Sequence, residues 1–184
     1  MPNKGLDREQ YWYAIYTKKA AEAKLHDCIL SYSKENDLGY QTYLPLTMEI
    51  KQWSDRKKQC QRPLFNNYLF VKHDDKGFAQ IKTMPGFCDY IRFGQYPAAI
   101  PQAQISMIKT IMAHHQQVTC QPKRLVQGDK VRICTGPLAD YEGILVCDQG
   151  SKKVALEVKN LGQCLQVHVA LDNIAHLNMA TCEK

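Results

Sequence analysis

A chain of 184 residues with 45% apolar side chains can bury at least one substantial core, which excludes disorder along its whole length. No window approaches the roughly 18 consecutive apolar residues of a membrane span, and the first ten residues lack the apolar stretch of a signal peptide, so a cytoplasmic protein without membrane contact is expected. The net charge of +6 is uneven, with 16 basic against 11 acidic residues over 1–115, two against none over 116–124 and six against seven over 125–184, which points to an anion-facing N-terminal unit and a near-neutral C-terminal one.

Eight cysteines stand at 28, 60, 88, 120, 134, 147, 164 and 182, never closer than thirteen residues. No Cys-x-x-Cys knuckle exists, the six histidines show no ligand spacing, and neither a metal nor a cofactor is expected. In a reducing compartment such thiols are expected to be small buried hydrophobes.

Tyr11 to Thr17 reads as a central strand with Trp12, Ala14 and Tyr16 on one face and Tyr13 and Ile15 on the other. Ala20 to Ser33 carries a helical stripe of Ala21, Leu25, Cys28, Ile29 and Tyr32, with Glu22, Lys24 and His26 on its solvated side. Tyr40 to Leu46 is a second strand limited by Pro45, and Met48–Trp53 with Lys57–Arg62 form a mostly polar hairpin around Ser54-Asp55-Arg56. Lys51 to Arg62 holds five basic residues against one acid and leads into the turn and strand Arg62 to Lys72, where Pro63 cannot donate to a ladder and Asn66-Asn67 tolerate positive φ. A short helix from Lys76 to Thr83 buries Phe78 and Ile81, Cys88 to Phe93 is a strand, Gly94 to Pro101 a loop, and Gln102 to His115 a helix burying Ile105, Ile108, Ile111 and Met112. The order predicts an antiparallel sheet with packed helices over 9–115, an α+β unit.

Gln116 to Arg124 has little periodicity and a proline, and reads as a linker over 116–124. Beyond it, 128–133, 143–147, 153–158, 165–169 and 174–177 are short alternating segments split by Gly136-Pro137, Gly150-Ser151 and Gly162, which predicts a small all-β barrel over 125–178.

Gly128-Asp129-x-Val131-x-Ile133-x-x-Gly136-Pro137-Leu138-x-x-Tyr141-x-Gly143-x-Leu145 resembles the KOW motif, whose domain is an SH3-like barrel. Trp12-Tyr13-x-x-Tyr16, Tyr43-Leu44-Pro45, Pro63-Leu64-Phe65-x-Asn67-Tyr68-Leu69-Phe70-Val71 and Tyr90-Ile91-Arg92-Phe93-Gly94 resemble the NGN domain. An NGN domain followed by a KOW domain is similar to the NusG family of transcription elongation and antitermination factors, and the Pro-Leu-Phe-x-Asn-Tyr run and Trp53-Ser54-Asp55-Arg56-Lys57-Lys58 are closest to its specialised, RfaH-like paralogues.

The resemblance implies a monomeric binding protein with no catalytic residues. It implies that the NGN domain sits on the clamp helices of the RNA polymerase β′ subunit through an apolar surface of Tyr16, Phe65 and Tyr68, with Phe70 behind them. It implies further that Lys18, Lys19, Lys24, Arg56, Lys57 and Lys58, with Trp53 as a stacking partner, meet the non-template DNA strand, since cations interleaved with aromatics suit phosphates and unstacked bases. The His-Thr-Thr segment of a second polymerase contact falls here on Gly77-Phe78-Ala79, which lacks that motif. The KOW domain is expected to meet ribosomal protein S10 or the terminator Rho and, being valine-rich with glycine and proline turns, to be a stable β-barrel. Two alternatives are a housekeeping NusG-type factor and a ribosomal-type KOW RNA-binding protein; the latter predicts a basic C-terminal unit, against the six-to-seven balance found.

Overall fold

A computed structural model of the chain describes residues 9–52, 57–115, 118–123, 126, 128–148 and 151–177, and for 50–52, 57, 58, 147, 148 and 151 the backbone alone. In chain order the elements are β1 Tyr11–Thr17, α1 Glu22–Glu35, β2 Gln41–Tyr43, β3 Leu46–Gln52, β4 Lys57–Pro63, β5 Tyr68–His73, α2 Gly77–Lys82, β6 Phe87–Tyr90, β7 Arg92–Phe93, β8 Tyr96–Pro97, β9 Ala99–Ile100 and α3 Gln102–His114. They continue as β10 Thr119–Pro122, β11 Asp129–Ile133, β12 Glu142–Asp148, β13 Ser151–Val158, β14 Gln163–Val167 and β15 Ile174–His176. The chain divides into two compact units, residues 1–44 with 65–102 and residues 45–64 with 103–184.

The first unit is built on an antiparallel sheet in the order β2-β5-β1-β6, with β9 also paired to β1. Strand alternation sorts its side chains as the sequence predicts. Tyr13, Ile15, Leu69, Val71 and Tyr90 face Leu25 and Ile29 of α1 and Ile81 of α2 in one core, with Cys28, Tyr32 and Phe78 packed at its margin. Tyr13, Phe78 and Tyr90 surround the fully buried ring of His73. Gly77 is dictated by that ring, because a Cβ there would lie 2.4 Å from His73 Nδ1.

Four local readings change. Glu22, expected on the solvated side of α1, is 6% exposed. Cys88 to Phe93 is not one strand: at Ile91 the backbone N–H turns to the Ala14 carbonyl at 2.8 Å, and β7 leaves to pair with β8. The second strand stops at Tyr43, and Leu46 begins the hairpin instead. In α3 Met107 is buried, at 2%, while Met112 is only half-buried.

In the second unit β3 and β4 pair from Leu46↔Pro63 to Gln52↔Lys57, with Leu46 and Met48 exposed and Arg62 3.5 Å from Glu49. The C-terminal strands form an antiparallel sheet in the order β10-β14-β13-β12-β11-β15, with Val131, Ile133, Leu156, Val158, Leu165 and Val167 all buried. Residues 119–122, expected within a linker, add a strand here because they bond in register to β14 from Thr119↔Gln166 to Pro122↔Gln163. Gly143 is required on β12, since a Cβ would stand 2.7 Å from the Ala155 carbonyl oxygen. The thiols are less uniformly buried than expected: Cys164 is buried, whereas Cys88 and Cys134 are exposed. No described helix is long and apolar enough to cross a membrane, and among the described residues no three His, Cys, Asp or Glu side chains come together as metal ligands.

Candidate functional site

Of the site residues named from the sequence, Tyr16, Tyr68, Lys18 and Lys19 lie together at the Tyr16 end of β1. Tyr16 and Tyr68 are register partners across β1 and β5, and their rings meet edge to face at 5.5 Å. On the face they share, Ala14 and Phe70 are buried. Tyr16 by contrast is 45% exposed, and Tyr68 is half-buried. Lys18 and Lys19 follow at once and are exposed, as is Lys24 on α1. Aromatic surface and the exposed Lys18 and Lys19 are thereby brought to one end of β1.

What fixes this edge is the turn Phe65-Asn66-Asn67-Tyr68. The Tyr68 N–H donates to the Phe65 carbonyl at 3.3 Å, and Asn67 takes φ +65° while Asn66 does not, the signs of a type II turn. Three bonds hold the turn in place. Thr17 N–H donates to the Asn67 carbonyl at 2.8 Å, the Asn67 side-chain amide donates to the Thr17 carbonyl at 3.3 Å, and Asn67 N–H donates to Glu22 Oε1 at 2.7 Å. Lys18 N–H is tied in turn to the Gly86 carbonyl at 2.9 Å. The end of β1, the first turn of α1 and the 65–68 turn are therefore one hydrogen-bonded assembly.

Phe65 takes a different place from the one expected, while Phe70 lies behind the edge. They are 2% and 0% exposed and pack edge to face at 5.6 Å. Instead of standing out as a docking ring, Phe65 supports the turn from the inside. Burial also pushes the Tyr43 hydroxyl, on the strand beside Phe70, up to about 12. Gly77 and Phe78 likewise serve the core, with Phe78 against Tyr13 at 4.8 Å, while Ala79 is exposed. Trp53 and Arg56 lie outside the described residues, and Lys57 and Lys58 are placed only as backbone on β4.

Sequence reasoning missed Glu22 and Asn67 as organisers of the site, and it missed Phe93 and Tyr96, which stand 85% and 77% exposed at the β7–β8 turn. An aromatic on each side of Gly94-Gln95 is a short-hairpin signal that would have found the last two.

The family model "Transcription termination factor nusG" matches residues 10–109. The chain belongs to the NusG family. Membership makes it a NusG-type transcription termination/antitermination factor rather than an enzyme. Similar proteins named transcription termination/antitermination protein NusG include that of Thermus thermophilus, 24% identical over 166 residues covering 80% of this chain and 89% of the relative. That of Escherichia coli K12 is 21% identical over 173 residues, covering 89% and 94%. The solved structure of Thermotoga maritima NusG superposes with a TM-score of 0.56 at 18% identity, over 92% of this chain and 98% of that one, which supports the same α+β fold.

Proposed function

We propose that this NusG-family chain docks on RNA polymerase through its N-terminal domain, opposes pausing or termination, and recruits a second partner through its KOW domain. The proposed bounds are 9–115 and 125–178 with 116–124 between them, and the family match over 10–109 supports the first. The observation that carries the reading is the Tyr16–Tyr68 pair: two aromatic rings kept accessible, beside the buried Phe70, by a turn held with three hydrogen bonds. Preorganised aromatic anchors of this kind dominate protein interfaces. The docking target is the β′ clamp helices, and Lys18, Lys19 and Lys24 face the non-template strand.

The RfaH-like resemblance of Pro63 to Val71 supports an operon-specific role over a housekeeping one. Whether the C-terminal domain takes S10 or Rho is decided by pull-down of each with the full chain. The main test is binding of the full-length protein to core polymerase and its effect on pausing on templates carrying its own operon leader. Tyr16→Ala is expected to weaken binding about tenfold or more, the loss of one anchor residue. Wild-type binding that is absent, or unaffected by Tyr16→Ala, refutes the docking surface.

A further inference from the structure

The C-terminal sheet has a second face. Val154, Leu156, Leu165 and Val167 point into the core, so strand alternation turns Ala155, Glu157, Cys164 and Gln166 the other way. Register carries this outer face across five strands, from Lys130 through Ile144, Ala155 and Gln166 to Thr119. Thr119 and Gln121 both donate to the buried Gln166 Oε1, at 3.2 and 3.3 Å, which fixes its β10 side. Between them lies a cleft of about 300 Å³. Its floor is small and apolar, built from Ile144, Ala155 and Cys164. Charges stand on both flanks, with Lys123 and Glu157 paired at 2.8 Å toward β10 and Lys130 and Glu142 toward β11.

The chain itself supplies an occupant. Leu177 lines the cleft, and its N–H donates to the Lys130 carbonyl at 2.9 Å, so the backbone leaves β15 at the cleft's rim. Beyond it come Asn178-Met179-Ala180-Thr181-Cys182-Glu183-Lys184, which lie outside the described residues. Seven extended residues cover about 23 Å, and the five strand spacings from β15 to β10 amount to about 24 Å. Composition matches as well as reach. Met179 falls just past the rim, over the apolar floor, and methionine is the side chain that best fills an irregular apolar gap. Glu183 and Lys184 then arrive at the Lys123–Glu157 pair, an acid for its cation and a cation for its acid. A segment tethered at the rim also acts at an effective concentration of the order of millimolar, ahead of any free partner.

We propose that residues 178–184 form a strap across the outer face of the C-terminal sheet, with Met179 seated in the cleft over Ile144 and Ala155. A partner that uses this face must displace the strap first. The strap is independent of polymerase docking and is tested without polymerase, by methyl-resolved NMR of the full-length chain. Ile144 and Ala155 are register partners, so a cross-relaxation peak between their methyl groups is the internal control. Wild type is expected to show further peaks from the Met179 methyl to those of Ile144 and Ala155. Met179→Asp is expected to shift the Ile144 methyl resonance and to leave that of Ile133, buried in the core, in place. The control peak without any peak from Met179 overturns the proposal, as does an Ile144 resonance that Met179→Asp does not move. Met179 peaks that grow with protein concentration come from a second copy and overturn it too. Where Met179→Asp also moves Ile133, the wild-type peaks alone decide.

Discussion

The carboxylate of Glu22 accepts a 2.7 Å hydrogen bond from the backbone N–H of Asn67 across 45 residues of chain. It joins the first turn of α1, the helix that follows β1, to the turn that sets Tyr68 beside Tyr16. The consequence is that the presentation of the aromatic edge depends on a residue that contributes nothing to the edge itself. Glu22→Ala leaves a donor without its charged acceptor and is expected to cost about 1–3 kcal/mol. Glu22→Gln keeps an acceptor oxygen and is expected to cost less. Urea unfolding of the full chain measures both, and equal midpoints for Glu22→Ala and wild type would remove Glu22 from the account.

Asn66 and Asn67 respond oppositely to substitution because they hold different turn positions. Asn67, at φ +65°, needs a residue that tolerates the left-handed region. Asn67→Ala is expected to cost about 1–2 kcal/mol for this conformation, with the amide bond to Thr17 lost as well. Asn66 stands where a type II turn favours proline. Asn66→Pro is expected to stabilise by about 0.4–1 kcal/mol through the unfolded state. A lower urea midpoint for Asn66→Pro would show that its backbone departs from the proline φ.

The strand faces were legible because alternation is a local signal: Tyr13, Ile15, Leu69 and Val71 all enter the core that the sequence assigns them. So was the need for glycine at 143, whose missing side chain admits the Ala155 carbonyl. The role of Glu22 was not legible, because a glutamate at a helix start looks solvated until a distant N–H is brought to it. Phe65 misled for a related reason. A ring beside a turn is exposed or buried according to what packs against it, and that is decided by contacts far along the chain. Residues 119–122 lack periodicity of their own, so only pairing with β14 makes them a strand.

His73 makes the N-terminal fold acid-sensitive. Its Nδ1 lies 2.6 Å from the Asp74 carbonyl, an acceptor only, so Nδ1 carries the proton and Nε2 accepts from the Tyr90 hydroxyl at 3.1 Å. Burial lowers its pKa, more than the nearby Asp74 and Asp75 raise it. A base whose folded pKa lies below its unfolded value of 6.5 stabilises the fold above pH 6.5. That stability is lost as pH falls from there toward the folded pKa. His115 is lowered too, by burial, so the His73 share is what a His73→Gln variant removes from the pH dependence of unfolding. A variant as acid-sensitive as wild type would assign the effect elsewhere.

Gly77→Ala tests the same cluster sterically. The added methyl meets the His73 ring, whose Cγ and Cβ would be 2.5 and 2.8 Å away, and the ring cannot retreat from Tyr13, stacked at 4.9 Å, or Phe78 at 4.7 Å. Overpacking of this kind is expected to cost about 1–3 kcal/mol. Ala79→Ser, on the exposed side of α2, is the matched control and is expected to change stability by less than about 0.5 kcal/mol. Similar losses for the two would show that α2, not the His73 contact, is the sensitive element.

Lys18 and Lys19 separate the proposed nucleic-acid contact from the polymerase contact. Both are exposed beside Tyr16, and neither side chain has an ion-pair partner among the salt bridges of the described residues. Each lysine that neutralises a phosphate of a single strand releases a condensed counterion, which adds about 0.7 to the slope of log affinity against log salt. Lys18→Ala/Lys19→Ala is therefore expected to lower the slope for a single-stranded oligonucleotide by about 1.4 if both contacts are made. Binding to polymerase alone is expected to change little, since its proposed anchors are the rings of Tyr16 and Tyr68. An unchanged slope with weakened polymerase binding would move these lysines from the strand to the protein partner, where charge steers encounter and leaves the anchors to hold the complex.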